Sequence, residues 1–432
     1  ILLTMHIVGE QTIWNDVYRA KAGHLLHWSS EGKLQSLPCN EIHPSTESFG
    51  KAMWECIDLY NETLLDICKP TNDNIALLLS GGMDSRMIAG YMKKQKMEPT
   101  SYTLGIPSDN EFYCARAVAK QMGQLHKGVP VGGSDAAEFT KLVTLQAKME
   151  SLGNGFNDLS WWEFVTYTQD SKKTLYNGFI GDASMGGSHI PWAYNRETDS
   201  YTFEQLFSAI NRWGLSPLEI NKLLKRKTSN ELVTENISKL RAMYEDNDGL
   251  PYQKPWLFDL KNRQRYHIGA CSWRLSFSSW PKMPFADKRL LRLSAGMPGN
   301  IIKERWIQEN IMRSKFPTLS TLPLDRNSSD LSPLAWPSKT TRLKQKLKQY
   351  IHTKSANKNS ERRYYYRVFD INNKAWRAVR EKAIMAEDNP ASCIINHAHY
   401  QHLISSGQKT IQLDDGIVNA SSIKTLLALS YL

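Results

Sequence analysis

Ile75-Ala76-Leu77-Leu78-Leu79-Ser80-Gly81-Gly82-Met83-Asp84-Ser85 decides the fold. Its first five residues are a continuous apolar run, the pattern of a parallel strand buried on both faces. Two glycines then let the backbone approach a ligand closely, and the free N–H groups that open the following helix attract an anion. The loop reads as a phosphate cradle. It is not a Walker loop, which needs Gly-Lys-Ser/Thr, nor a dinucleotide fingerprint, which needs Gly-x-Gly-x-x-Gly. In place of the Walker lysine stands Asp84, a hard oxygen ligand suited to Mg²⁺ bridging phosphates.

Outward from this loop, residues 84–97 place Met87, Ile88, Tyr91 and Met92 on one helical face, with lysines elsewhere. Residues 101–106 predict a second strand, followed by Asp109 or Asn110 as a helix cap and Gly123 just past that helix's end. Residues 174–180 predict a third strand, and residues 47–66 an amphipathic helix built on Met53, Ile57, Tyr60 and Leu64. A βαβα series implies an α/β fold: a parallel sheet flanked by helices, with ligands at the carboxyl ends of its strands. Residues 2–8, 14–18 and 23–28 read as short extended pieces, and the chain beyond Tyr201 as mainly helical, broken by proline near 281–284 and 322–337. These patterns divide the chain into a β segment over 1–45, a nucleotide-binding domain over 46–335 and a basic, mainly helical region over 336–432.

The 432 residues suffice for more than one core, and 41% hydrophobic with 22% charged residues is a globular balance. Mean hydropathy is −0.47. The longest aliphatic run falls far short of the roughly 20 apolar residues that a bilayer span requires. No basic-then-apolar leader precedes the first motif, and the six cysteines form no Cys-x-x-Cys pair, so reduced thiols and a cytoplasmic location are expected. The chain begins with Ile1, which leaves an upstream segment open. The net charge of +11 is local: residues 339–382 hold 14 basic and 3 acidic residues, which leaves 40 of each elsewhere.

The loop at 80–85 resembles the pyrophosphate-binding loop of ATP pyrophosphatase enzymes, and its surroundings resemble the asparagine synthetase family. Tyr102-Thr103-Leu104-Gly105, with Glu111, Ala115, Ala119 and His126, is similar to that family's adenine-contacting strand and helix. The stretch Gly178-Phe179-Ile180-Gly181-Asp182 is similar to its glycine-rich loop with a magnesium-binding Asp, and Pro284-Phe285-Ala286-Asp287 to its Pro-Phe-Leu-Asp signature. Residues 10–24 resemble the end of its glutaminase domain. The resemblance implies an adenine nucleotide alpha hydrolase-like fold and an ATP-dependent ligase that adenylates a carboxylate, releases pyrophosphate and passes the acyl group to an amine. It further implies that Ser80, Gly81, Gly82 and Ser85 hold pyrophosphate, that Leu78, Leu104, Gly105 and Gly178 contact AMP, and that Asp84 and Asp182 bind Mg²⁺.

The chain departs from the family in three places. It carries only the last part of a glutaminase-like domain. Gly178 to Ala183 replaces Gly-Glu-Gly-x-Asp-Glu, so both acidic neighbours of the Asp are gone. At the family's late Arg-x-Lys-x-x-Phe segment stands Asp325-Arg326-Asn327-Ser328, which leaves Arg326 as the candidate catalytic cation. These departures favour a ligase that joins an amine already present on a substrate, in peptide or natural-product synthesis, as β-lactam synthetases and lasso-peptide cyclases do. A glutamine-hydrolysing asparagine synthase lacking most of its first domain and a non-catalytic nucleotide-binding protein are the alternatives. His397, His399 and His402 read as a polar surface rather than a zinc site. The basic run from Lys344 to Arg367 reads as a solvated surface first, a dock for an acidic peptide second and a nucleic-acid site third.

Overall fold

The computed structural model describes the chain except for residues 49, 71–73, 133–134, 151–154, 158, 170–171, 188–200, 226–228, 327–329, 337, 341–342, 344–363, 405–410, 412–415 and 432. An antiparallel hairpin, β1 (His24–Trp28) and β2 (Leu34–Pro38), comes first. Then β3 (Ile75–Leu78), β4 (Thr100–Leu104), β5 (His126–Val129), β6 (Thr174–Tyr176) and β7 (Trp280–Lys282) form one parallel sheet in the order β5-β4-β3-β6-β7. Helices α1 (Met53–Ile67), α2 (Met83–Lys94), α3 (Asn110–Met122), α4 (Ala136–Glu150) and α5 (Leu159–Thr168) flank it. The α/β expectation holds.

All four residues of β3 are buried, and they alternate between two cores. Leu77, with Leu79 just beyond the strand, joins Tyr60, Leu64, Met87 and Tyr91, while Ala76 and Leu78 join Tyr102, Val129, Phe164 and Leu175. This two-residue alternation on a strand buried from both sides is why its sequence is uniformly apolar. Asp109 stands at the position just before α3, its carboxylate accepting the Ile106 N–H at 2.8 Å rather than a helix N–H, and Gly123 closes the helix in the left-handed conformation, as its spacing predicts. Because β3 pairs with β4 on one side and β6 on the other, the chain's order reverses beside β3. Such a switch point opens a crevice at the carboxyl ends of the strands.

Two strands escape sequence reading. β5 is short and half polar, and β7 contains Pro281, which a sheet accepts at its edge because no ladder hydrogen bond is needed there. Residues 2–8 are turns, not a strand. Residues 3–7 are all buried, Thr4 and His6 included, and their backbone is satisfied by a turn (Met5 N–H to Ile1 O, 2.6 Å) and by Asn211 and Leu215. α1 starts later than its apolar spacing suggests because Ser45 and Ser48 are hydrogen-bonded to the carbonyls of Ala295 and Gly296.

Helices Tyr364–Phe369, Lys374–Lys382, His397–Ile404 and Gly416–Leu429 form the carboxyl-terminal region. Trp376, Val379, Tyr400 and Leu426 lie in the same core as α1 and α2. Most of the basic run, residues 344–363, lies outside the described residues. At its end, Arg367 is committed internally: its two Nη atoms each donate at 2.6 Å to one oxygen of the buried Asp109. His397 lies on Ser392 and His399 on Glu219.

Candidate active site

The loop after β3 is fastened before any ligand arrives. The Ser80 N–H donates to Ser85 Oγ at 2.9 Å, the two hydroxyls are 2.9 Å apart, and the Gly82 N–H reaches Ser80 Oγ at 3.3 Å. From beneath, Arg86, fully buried, donates to the carbonyls of Gly81, Leu319, Leu322 and Pro323. Burial holds its pKa down to about 10, so it stays a cation. Asp325 N–H donates to Gly81 O at 3.0 Å, and a Cβ on Gly81 would lie 2.8 Å from the Asp325 Cβ. Glycine is therefore required where the loop crosses this segment.

A cavity of about 250 Å³ opens above the loop. Leu78, Ser80, Asp84, Ser85, Leu104, Gly178 and Asp182, widely separated in sequence, all form part of its wall. Gly81, Gly82 and Gly105 flank these residues in the chain, Gly105 with a φ of +118°. Arg326 is not part of the wall. It is exposed and donates to the Ser332 carbonyl.

Asp84 is the electrostatic centre. Its Oδ1 accepts from Arg305 and from Gln308 Nε2 at 2.7 Å, and Arg305 Nε is itself held by Gln308 Oε1 at 2.7 Å. Burial pushes the Asp84 carboxyl above its usual range; Arg305 opposes this and the nearby Asp182 adds to it. The Arg305 guanidinium moves up, because the two carboxylates outweigh the burial that acts against its charge. Asp182 Oδ1 accepts the Ala183 N–H at 2.8 Å. Both carboxylates line the cavity, a donor set that suits Mg²⁺ shared with phosphate oxygens and water. Among the described residues no cluster of three His, Cys, Asp or Glu side chains is present to cage a metal alone.

The loop after β6 packs directly on Asp84: a Cβ on Gly181 would lie 2.6 Å from Asp84 Oδ1. Just before it, Ile180 is buried with φ +67° and ψ −2°, at a position where the resembled pattern has glycine. A β-branched residue in that region stores about 1–3 kcal/mol of strain. Ile180→Gly is therefore expected to unfold in urea at a higher concentration than Ile180→Ala, by about 1 kcal/mol, reversing the usual order of alanine over glycine. A glycine variant no more stable than the alanine one removes the strain.

Several wall residues give no sequence signal. Leu260–Ile268 is a π-helix, which brings Arg263, Gln264 and Ile268 to the cavity. Gln264 is 1% exposed and its Oε1 lacks a hydrogen-bond partner. The only hint is that this polar stretch lies between apolar ones. Trp161 and Phe179 meet edge to face with centroids 5.2 Å apart and form an aromatic wall. His126 stands outside the cavity wall. It lies 2.8 Å from Thr103 Oγ1, and burial lowers its pKa to about 4, so it is neutral.

The family model for asparagine synthase matches residues 70–383, from the start of β3 to beyond helix Lys374–Lys382. No curated protein matches the chain. The matched span contains the Ser80–Ser85 loop, the Asp182 loop and both segments that hold them, and it covers well over half of the residues. The chain belongs to the asparagine synthase family, whose members are ATP-dependent carbon–nitrogen ligases.

Proposed function

We propose that this ligase adenylates a substrate carboxylate and transfers the acyl group to a preformed amine, in peptide or natural-product synthesis. The observation that carries the reading is the meeting of the Ser80–Ser85 and Gly178–Asp182 loops around one cavity at the switch point. A carboxylate oxygen attacks the α-phosphorus of ATP and the bond to the β-phosphate breaks, with pyrophosphate taking the electron pair. The amine nitrogen then attacks the acyl carbonyl, the carbon–oxygen bond to AMP breaks, and the nitrogen gives up a proton.

In this reading Ser80, Ser85 and the amino end of α2 hold the pyrophosphate, and Leu78, Leu104, Gly105 and Gly178 border the adenosine. Asp84 and Asp182 hold Mg²⁺, which when bound offsets phosphate charge. Arg305 keeps Asp84 in place from the far side. Phe179 and Ala183 replace acidic residues, and Phe179 packs on Trp161, which supports an acyl group with an apolar body over aspartate. No described helix is long and apolar enough to cross a membrane.

Turnover with carboxylate and amine is expected to convert ATP to AMP and pyrophosphate in equal amounts, because no Walker lysine reaches a γ-phosphate. Nucleotide chromatography checks this, and ADP as the main product overturns it.

A further inference from the structure

The wall of the nucleotide cavity carries the carboxylates of Asp84, Glu111 and Asp182 and, among the described residues, one cation, Arg263. Arg263 comes from the π-helix Leu260–Ile268 rather than from either glycine loop. Residues five apart lie about 140° apart around an α-helix, so the wider i→i+5 turn is what puts Arg263 and Ile268 on the same wall. Its neighbours fix that turn. Asn262 Nδ2 donates to Phe258 O at 2.8 Å while Asn262 Oδ1 accepts the Gly9 N–H at 2.9 Å, and Gln264 Nε2 donates to Asp259 Oδ2 at 2.9 Å.

Arg263 itself is uncommitted. Its side chain is half-buried, its Nε is sealed from water without an acceptor, and it makes no ion pair among the described residues. Arg86, Arg274, Arg305 and Arg367, by contrast, are each spent on carbonyls or carboxylates. His6, which lies near enough to feel the Arg263 charge, supplies no counter-charge: burial, with His267 and Arg263 behind it, holds its pKa down to about 3, so it is neutral. A guanidinium partly drawn out of water is costly without a counter-charge, and the cavity it borders is where an anion can reach it.

Neither end of the nucleotide calls for this cation. In the ligase reading Ser80, Ser85 and the amino end of α2 hold the pyrophosphate, and Leu78, Leu104, Gly105 and Gly178 border the adenosine. The anion left between them is the α-phosphate, where attack by the carboxylate builds charge. We infer that Arg263 is the catalytic cation of this site, donating to the α-phosphate oxygens in the place that the sequence gives to the exposed Arg326. The assignment rests on the ligase reading above. Arg263 moves no proton. The bond from carboxylate oxygen to phosphorus forms, the bond to the β-phosphate oxygen breaks, and pyrophosphate leaves with the electron pair while the guanidinium, charged throughout, offsets the charge on the remaining oxygens.

The test titrates the full chain by calorimetry with AMP, with adenosine and with pyrophosphate plus Mg²⁺, and wild type also with ATP. Arg263→Gln is expected to lose about 10- to 100-fold in AMP affinity, the worth of a charged hydrogen bond, while adenosine and pyrophosphate bind as they do to wild type. Arg263→Lys should recover part of the AMP loss, because a point charge replaces the planar fork. Arg326→Gln should leave all three affinities unchanged. If Arg263→Gln does not fold, Arg263→Lys decides by the same comparison, a loss confined to AMP supporting the assignment. Unchanged AMP affinity in the Arg263 variants, a larger AMP loss in Arg326→Gln, or an equal loss for all three probes overturns it, the last because it marks a role in the fold alone. Wild type that binds neither AMP nor ATP overturns the ligase reading, and the assignment with it.

Discussion

Asp84→Asn is expected to slow pyrophosphate release by about 100- to 1,000-fold while leaving the fold intact, the scale seen when one electrostatic group is removed at a transition state. The substitution is nearly isosteric. Asparagine keeps an Oδ1 for Arg305 and Gln308, so the anchoring that holds the side chain against Gly181 survives. What disappears is half of the negative charge that Asp84 and Asp182 together present to the cavity, where the proposed reading puts the phosphates, leaving Arg305 to face one carboxylate instead of two. Asp182→Asn should act in the same direction. Unfolding midpoints near wild type, combined with the loss of pyrophosphate release, separate a metal-binding role from a structural one. Release at the wild-type rate in either variant excludes that residue from the metal site.

For stability the largest effect is expected at Glu150→Ala, a loss of about 3–5 kcal/mol. Glu150 is 7% exposed and its partner Arg274 0%. Arg274 Nε donates to Glu150 Oε1 at 2.5 Å, and the Trp162 indole N–H reaches the same oxygen at 2.9 Å. The carboxylate thus ties the end of α4 to α5 and to helix Gly269–Leu275. Removing it strands a guanidinium with no access to water, a cost comparable to much of a domain's net stability. Glu150→Ala with Arg274→Met should recover part of the loss, since the double variant leaves no buried charge. Urea unfolding of the two single variants and the double variant checks this. A single variant within 1 kcal/mol of wild type contradicts it.

The central strand, the glycine turn after it and the ends of α3 are legible because each is a local pattern: five apolar residues, two glycines after them, an Asp and a Gly a helix length apart. Asp182 is legible only through resemblance. Arg86, Arg305 and Gln308 are not legible, since each acts on a residue or carbonyl far away in sequence and an isolated arginine on a helix reads as surface. The π-helix is hidden for a related reason: its polar residues are buried, whereas amphipathic spacing assumes that polar residues face water. Arg326, prominent in the sequence, lies outside the cavity wall because its guanidinium is used within its own loop.

The position of β7 bears on how the chain is made. β6 is covered on one side by β3, but its other edge stays open until Trp280–Lys282 arrives. During synthesis at roughly 5–20 residues per second, the stretch of about 100 residues between them leaves that edge bare for about 5–20 s. Leu175 and Tyr176, buried in the finished sheet, sit on that edge meanwhile. A ribosome-bound intermediate with an unpaired apolar strand is a template for aggregation and a target for chaperones. Yield on expression should therefore respond to growth temperature and chaperone supply more steeply than the stability of the finished protein does.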